Sequence, residues 1–239
     1  MCGRFTSTTP AADLAAFFDV DSVVAADLPF DHNVTPSRDV YVVRVDERER
    51  ILDCARWGLV PGWADDPAIG ARLINARSET AAEKPSFRSA FRRRRCLVPV
   101  DGFYEWSVVP GQRRKQPWFF SAREGGPLAF AGLWESWRSA TSPEDPPLLT
   151  CTILTRAPND VVAPIHDRMP VILRRSQWGE WLDPELDDPD LVGSLLGPVP
   201  DDLLTVWPVS LAVNDVHRHD ASLVDPVEPP ASEVQGSLF

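Results

Sequence analysis

Long apolar runs and closely spaced cysteines are both missing from this sequence. No stretch approaches the ~18 consecutive apolar residues of a membrane helix, and no basic segment leads into an apolar run at the N-terminus. The sequence therefore predicts neither a membrane span nor a secretion signal, and we expect a cytoplasmic protein. Its four cysteines, at positions 2, 54, 96 and 151, lie more than 40 residues apart. Because no Cys or His pair has the short spacing of a zinc site, we expect no metal and no other cofactor.

Basic residues are scarce, with 24 Lys and Arg against 35 Asp and Glu and a formal net charge of −11. Such a balance argues against nucleic acid as a partner, because phosphate binding draws on a basic surface. The excess of negative charge lies in one part of the chain. Residues 180–239 hold 13 acidic residues and one basic residue, Arg218, whereas residues 1–179 are nearly neutral. Lys84, Arg88 and the run Arg92–Arg95 follow one another with no acidic residue between them. They predict a local basic face, the alternative being a solvated helix face without a ligand.

Short segments rich in Val, Ile, Leu and aromatic residues predict strands, because Pro, Gly or charged clusters bound them. They cover residues 40–45, 51–57, 95–100, 117–121, 128–134 and 149–155. Predicted helical segments are fewer: 10–18, with Thr9 as the capping hydroxyl and Pro10 at the first helical position, then 78–83, 87–93 and a turn from a Ser176 cap to Trp181. Many short strands with few helices predict a β-rich α+β fold in a single domain. We expect this domain to cover residues 1–225, with a mobile acidic tail over 226–239.

Cys2 differs from the other cysteines in its position. In a reducing compartment Cys54, Cys96 and Cys151 are expected to be small buried apolar residues. Removal of Met1, which is usual before a small residue, gives Cys2 a free α-amine beside its thiol. With ordinary pKa values of ~7.7–8.0 and ~8.5, a usable fraction of each group is nucleophilic near neutral pH. The amine can form an imine with an aldehyde, and the thiol then closes a five-membered thiazolidine in a fast intramolecular step.

Blocks of motif residues run through the chain in one order. They are Met1–Phe5, Asn33–Pro36, Arg56–Trp63, Asn75–Thr80, Phe87–Arg95, Pro99–Trp106, Ala131–Trp134, Pro164–Pro170 and Val213–Asn214. In these blocks, over roughly residues 1–225, the sequence resembles the SOS response-associated peptidase domain family. Thr35 departs from the family's pattern, which more often has Ala before the proline. The resemblance implies a pseudo-barrel of mixed sheets and a DNA damage response protein that crosslinks covalently to abasic sites in single-stranded DNA.

The same resemblance implies roles for four catalytic residues. Cys2 would be the nucleophile, and Asn75 would hold the reacting sugar or the amine by hydrogen bonds. Glu105 would act as acid or base beside the amine during imine formation and autocleavage of the N-terminus. His166 would pass protons to or from the opening sugar ring, a task that suits histidine at neutral pH. The implied activities are those of a peptidase acting on its own N-terminus and a lyase-like activity at the abasic site.

Ordinary structural roles exist for the same residues. Taken alone, Glu105 between two aromatic residues would pair with an arginine, and His166 would be a hydrogen-bonded surface or core residue. Asn75 would form a turn. The family blocks, rather than spacing, favour the catalytic interpretation.

Five residues are candidate DNA contacts. Arg4, Arg77 and Arg168 lie in the same blocks as the proposed reacting residues, and Arg88 lies in the basic run, so we expect them to contact phosphates. Trp63 follows a Pro-Gly turn and is expected on a loop, where its ring can stack on a base.

The last five residues, Gln235-Gly236-Ser237-Leu238-Phe239, resemble the Gln-x-x-Leu-Phe peptide that bacterial proteins insert into the sliding clamp. We therefore expect Gln235, Leu238 and Phe239 to bind the replication clamp, the alternative being a plain frayed terminus.

The sequence is also compatible with two other functions. A Met-Cys-Gly start also occurs in N-terminal amidohydrolases, in which the thiolate attacks an amide and the α-amine is the base. A non-covalent module for single-stranded DNA would bind reversibly with salt and would tolerate Ser at position 2. Release of ammonia from glutamine would indicate the amidohydrolase. Covalent trapping of abasic DNA would indicate the crosslinking function and exclude the non-covalent module.

Overall fold

The computed structural model of the protein describes residues 2–111 and 113–228. Its strands are β1 (Phe5–Ser7), β2 (Ser22–Val23), β3 (Asp31–Val34), β4 (Asp39–Asp46), β5 (Glu49–Trp57), β6 (Asn75–Arg77), β7 (Arg95–Val100), β8 (Gly102–Ser107), β9 (Gln116–Ala122), β10 (Leu128–Trp137), β11 (Leu148–Arg156), β12 (Met169–Pro170) and β13 (Leu204–Pro208). The helices are α1 (Ala11–Phe17), α2 (Ser78–Ala81), α3 (Arg88–Arg93), α4 (Trp178–Leu182) and α5 (Pro189–Ser194), and five short 3₁₀ turns join other segments. The predicted β-rich α+β single domain is confirmed.

The larger sheet closes into a barrel-like ring. Strands β11, β10, β7, β4 and β5 are neighbours in that order, and β5 returns to pair with β11. The closing pairs are parallel, Thr150 with Arg56 and Cys151 with Trp57, whereas the other pairs of the ring are antiparallel. Strand β6 also runs parallel to β11, with Asn75 opposite Ile153. This pairing carries Asn75 to the ring, although it is distant in sequence from β11.

The smaller sheet holds the start of the chain. Its order is β13-β9-β8-β1-β3, with all neighbours antiparallel. Phe5 in β1 pairs with Phe103 on one side and Val34 on the other. The N-terminal strand is therefore internal to its sheet, and the residues just before it are fixed beside β8.

Two apolar cores use opposite faces of the ring strands, as the two-residue alternation of a strand requires. In β7, Leu97 packs into a core with Phe91 and Trp181, which lie in α3 and α4. Val98, its neighbour, packs into a second core shared with the smaller sheet and with Cys2. The second core therefore joins the two sheets and surrounds the N-terminal cysteine.

The six strands expected from sequence and the segments 10–18, 78–83 and 87–93 correspond to β4, β5, β7, β9, β10, β11, α1, α2 and α3. Two capping predictions are wrong. Thr9 does not cap α1, because the Asp101 carboxylate accepts its hydroxyl and its backbone N–H, and Pro10 takes the capping position instead. Ser176 lies inside a 3₁₀ turn, and Gln177 precedes α4.

Cys96 and Cys151 are fully buried as expected, but Cys54 is only partly buried. Its side chain lies near the surface of the ring, where the Sγ atom is 3.5 Å from the Ala26 carbonyl oxygen.

The basic run does not form one face. Arg95 is 3% exposed, and its guanidinium donates to main-chain carbonyls of Phe91, Arg92, Trp181, Asp183 and Leu186. Arg94 pairs with Glu135 at 2.6 Å, and Arg93 pairs with Asp187 at 2.9 Å. The expected local basic face therefore lacks Arg95, and Arg93 and Arg94 are paired with carboxylates. Lys84, Arg88, Arg92 and Arg93 are exposed.

Met1, Gln235, Leu238 and Phe239 lie outside the described residues, so the clamp-binding peptide stays a prediction, as does the boundary at residue 225. Within residues 2–111 and 113–228, no helix has the length and apolar character needed to cross a membrane.

Candidate active site

Cys2 is completely buried within the second core. The β1–β8 pairing holds the segment that follows it, and the Tyr104 backbone N–H donates to the Arg4 carbonyl oxygen at 3.0 Å. Cys2 is thus placed beside β8, the strand that carries Glu105.

Asn75, in the strand β6 that pairs with β11, contacts Cys2. Its Nδ2 atom donates to the Cys2 carbonyl oxygen at 2.7 Å. Its Oδ1 atom is buried and accepts no hydrogen bond from residues 2–111 or 113–228. One end of the amide therefore fixes the Cys2 backbone, and the other end offers an acceptor for a hydroxyl or an amine.

Glu105 and His166 form the third part of the site. Glu105 is 2% exposed, and its Oε2 atom lies 3.6 Å from His166 Nε2. His166 Nδ1 lies within hydrogen-bonding distance of both main-chain groups of Arg168, 3.0 Å from the nitrogen and 3.2 Å from the oxygen. Nδ1 can accept from the N–H when it is unprotonated and donate to the carbonyl when it is protonated. The ring therefore keeps a main-chain partner in either protonation state.

Burial sets the protonation of these groups. It raises the pKa of Glu105 to about 7, because a desolvated carboxylate is disfavoured. It lowers the pKa of His166 below its usual value. Burial, with the nearby Glu105 charge, also raises the pKa of the Cys2 thiol well above its usual range. Near neutral pH the thiol is therefore protonated, the imidazole is neutral, and Glu105 is divided between its two forms.

The candidate phosphate ligands fall in different places. Arg77 is exposed and lies two residues after Asn75 in β6, so its side chain is on the same face of the strand. Arg168 is 14% exposed and forms a two-pronged ion pair with Glu79, at 2.7 and 2.8 Å. Arg77 is thus open to a ligand next to the cysteine, whereas Arg168 is already paired.

Arg4 lies on the other face of β8 from Glu105. Its guanidinium is 6.0 Å from the centre of the Trp106 ring, and Trp106 follows Glu105 in a strand whose side chains alternate. Trp106 and Glu79 had no role in the sequence-based hypothesis, although both lie in motif blocks already identified.

Trp63 and Arg88 belong to a separate group. Trp63 is 59% exposed, and its indole N–H donates to the Pro85 carbonyl oxygen at 3.4 Å. Arg88 is exposed at the start of α3, three residues after Pro85. Trp63 therefore contacts the segment that leads into α3, where Arg88 lies.

The protein is thus a barrel-like α+β domain in which Asn75 donates a hydrogen bond to the buried Cys2. Glu105 and His166 lie 3.6 Å apart in the same site. The chain belongs to the SOS response associated peptidase (SRAP) family, whose model matches residues 1–216.

Named relatives cover nearly the whole chain. It is 40% identical to the Bacillus subtilis abasic site processing protein YoqW over 226 residues, which are 94% of this chain and 99% of that protein. It is 31% identical to the Escherichia coli abasic site processing protein YedK over 234 residues, 95% of this chain and 100% of that one.

Solved structures share the fold. A protein from Bacteroides thetaiotaomicron superposes with a TM-score of 0.82 at 23% identity, over 95% of this chain and all of that chain. A Bordetella bronchiseptica protein superposes with a TM-score of 0.73 at 27% identity, over 88% of this chain and all of that chain.

Proposed function

We propose that this protein processes abasic sites in single-stranded DNA by forming a covalent thiazolidine between Cys2 and the aldehyde of the damaged sugar. The observation that carries this proposal is the meeting of Cys2 with Asn75 beside the Glu105–His166 pair. The relatives named abasic site processing proteins support the choice of substrate.

The first step exposes the amine of Cys2. Hydrolysis of the bond between Met1 and Cys2 adds one water and releases methionine. Glu105 can serve as the base for that water, in which case the protein is a peptidase on its own N-terminus, or a methionine aminopeptidase does the work. Expression of Glu105→Gln separates these routes. If Met1 is removed by self-cleavage, the variant keeps Met1, whereas a methionine aminopeptidase removes Met1 from the variant as well.

The second step joins protein and DNA. The closed abasic sugar opens to its aldehyde as the C1 hydroxyl loses its proton, the bond from C1 to the ring oxygen breaks, and His166 gives a proton to that oxygen. The Cys2 amine adds to the aldehyde carbon, and loss of one water gives the imine. The thiol then adds to the imine carbon and its proton passes to nitrogen, which closes the ring without any further reactant.

The protonation states favour this order. Since the buried thiol holds its proton near neutral pH, the amine is the first nucleophile. Glu105 in its carboxylate form can take a proton from the attacking amine, and in its acid form can give one to the departing hydroxyl. An imine at this carbon would also allow lyase-like cleavage of the strand, and ring closure by the thiol removes that path.

DNA binding would use the exposed charges and rings around this site. Arg77, on the same strand face as Asn75, is the phosphate contact that we place nearest the reacting sugar. Arg4 beside Trp106, and Trp63 with Arg88, would contact flanking nucleotides through phosphate and base stacking. Arg168 would contribute only by sharing its ion pair with Glu79.

The test is incubation of the mature protein with an abasic single-stranded oligonucleotide, followed by a denaturing gel. We expect an adduct with the wild type, none with Cys2→Ala, and slower formation with Glu105→Gln and His166→Ala. Cys54→Ser is the matched control, since Cys54 is the partly buried cysteine farther along the chain, and it should react like the wild type. An adduct formed equally by Cys2→Ala would refute the proposal.

The two alternatives give different results in the same experiment. An N-terminal amidohydrolase would release ammonia from glutamine and leave DNA unmodified. A non-covalent module would give only complexes that salt and denaturant dissociate, and Cys2→Ser would bind as tightly as the wild type.

The clamp-binding peptide is a separate proposal on sequence alone. A peptide of residues 229–239 is expected to bind the sliding clamp, and removal of Leu238 and Phe239 is expected to abolish binding. Absence of binding at high micromolar peptide would end it.

A further inference from the structure

Asn33 is a completely buried amide that gathers main-chain groups from a distant segment. Its Nδ2 atom lies 3.3 Å from the Val213 carbonyl oxygen, 3.0 Å from that of Asp215 and 2.9 Å from that of Arg218. Its Oδ1 atom accepts a hydrogen bond from Arg4 Nη1 at 2.6 Å. Two motif blocks that the reaction scheme does not use, Asn33–Pro36 and Val213–Asn214, thus meet at Arg4.

The contacts of Arg4 occupy one end of its guanidinium. Nη1 donates to Asn33 Oδ1 and to the Val213 carbonyl oxygen, at 2.6 and 2.8 Å. Nε and Nη2 make no hydrogen bond to residues 2–111 or 113–228. A guanidinium held through one nitrogen keeps its Nε–Nη2 edge for an oxyanion, which it can bind through two parallel hydrogen bonds.

Trp106 completes the arrangement. The Arg4 guanidinium lies 6.0 Å from the Trp106 ring centre, and the indole N–H donates to Asn214 Oδ1 at 2.8 Å. Asn214 belongs to the segment whose carbonyls Asn33 gathers. One amide side chain therefore fixes both the cation and, through the 213–218 segment, the aromatic ring.

The chemistry of the holding residue matters for charge. An aspartate at position 33 would pair with Arg4, whereas the amide of Asn33 orients the guanidinium without adding a negative charge. Asp31, whose carboxylate interacts electrostatically with Arg4, has its Oδ1 atom 2.7 Å from the Asn33 backbone nitrogen, from which it accepts a hydrogen bond, and 2.8 Å from His219 Nδ1.

We propose that Asn33 is a positioning residue that presents the free edge of Arg4, beside Trp106, to a phosphodiester of the strand flanking the abasic sugar. The proposal rests on the proposed DNA function. Asn33 then has two roles. It holds the 213–218 segment in place, and it affects DNA binding by orienting Arg4.

The experiment measures binding of undamaged single-stranded oligonucleotide as a function of salt, for the wild type, Arg4→Gln, Asn33→Ala and the double variant. Loss of one phosphate contact lowers the slope of log affinity against log salt by about 0.7. We expect both single variants to show this loss and to bind about tenfold more weakly at low salt. The double variant should bind no more weakly than either one.

A structural role alone gives a different pattern. If Asn33→Ala lowers the melting temperature but keeps the wild-type salt slope, while Arg4→Gln loses it, the proposal is overturned. Additive losses in the double variant also overturn it, because independent residues add.

A second variant covers the case in which Asn33→Ala does not fold. Arg4→Lys keeps the positive charge. A lysine ammonium that contacts Asn33 cannot also bind a phosphate through two parallel hydrogen bonds, as a guanidinium can. It should keep the salt slope and still bind several-fold more weakly, and wild-type affinity in this variant contradicts the proposal.

Trapping on an abasic oligonucleotide separates failure of this inference from failure of the proposed function. Asn33→Ala should raise the DNA concentration that gives half of the maximal trapping rate, and should change the rate at saturating DNA much less. If the wild type forms no adduct, the covalent mechanism fails, and the salt series on undamaged DNA still decides the role of Asn33.

Discussion

Glu105 Oε2 and His166 Nε2 lie 3.6 Å apart, and the carboxylate is 2% exposed while the imidazole side chain is 21% exposed. The acid is thus almost fully shielded from solvent and interacts electrostatically with the buried Cys2 thiol, whereas the histidine is partly exposed. His166 Nδ1 lies within hydrogen-bonding distance of the Arg168 main-chain nitrogen and oxygen, so the imidazole has a main-chain partner in both protonation states.

The rate of adduct formation is expected to rise with pH and to level off with an inflection near 7. The reason is that Glu105, whose pKa burial raises to about 7, gains its basic carboxylate form across that range. In Glu105→Gln the inflection near 7 should be lost, and the rise that remains at higher pH should follow the α-amine, with an ordinary pKa of ~7.7–8.0. Single-turnover trapping at a series of pH values measures both profiles. An unchanged inflection in the variant would show that Glu105 is not the titrating base.

Asn75→Ala is expected to slow adduct formation by roughly 100-fold, since a displacement of about 1 Å in a reacting group has that effect. The variant leaves the Cys2 carbonyl without its 2.7 Å donor and removes the free Oδ1 acceptor. Trapping rates at saturating DNA measure the effect, with melting curves to confirm folding. A folded variant that reacts at the wild-type rate would remove Asn75 from the site.

Glu79→Gln is expected to tighten low-salt binding of single-stranded DNA several-fold. The carboxylate of Glu79 now occupies both terminal nitrogens of Arg168, and this pairing lowers the pKa of Glu79 to about 2. A neutral amide would leave the positive charge available to phosphate. Arg168→Gln should weaken binding in the same assay. Weaker binding by Glu79→Gln would instead mean that the ion pair orients Arg168 for DNA.

Arg95→Ala is expected to lower the free energy of unfolding by roughly 3 kcal/mol or more, because each buried carbonyl left without a donor costs about 1–3 kcal/mol. The substitution leaves several buried carbonyls without their donor, among them those of Trp181 and Leu186. Arg93→Ala is the matched control, because its ion pair with Asp187 is exposed and contributes at most ~1 kcal/mol. Chemical denaturation measures both values. Equal losses would contradict the structural role of Arg95.

The basic run illustrates what sequence reasoning can and cannot reach. The charges of Arg92–Arg95 are evident from sequence, but burial of Arg95 depends on carbonyls of α3, α4 and the segment after α4, which only the fold brings together. By contrast, the runs of Val, Ile, Leu and aromatic residues in β4, β5, β10 and β11 made these strands predictable. Strand β3, with the sequence Asp31-His32-Asn33-Val34, was missed because its buried polar residues are satisfied by distant segments.

The site follows the same rule. The motif blocks identified Cys2, Asn75, Glu105 and His166, and the structure places Asn75 on Cys2 and His166 on Glu105. The partners that control charge, Glu79 for Arg168 and Asn33 for Arg4, lay in those blocks without a visible role. Ion pairs and amide contacts between distant segments leave no periodic signal in one sequence.

The most direct test of the account is the intact mass of the DNA adduct made by the mature protein. The thiazolidine mechanism predicts the mass of the chain without Met1, plus the oligonucleotide, minus one water, with the bond on the peptide that begins at Cys2 and no need for borohydride to preserve it. An equally abundant adduct on a chain that retains Met1, or a bond mapped to any other residue, would contradict the account.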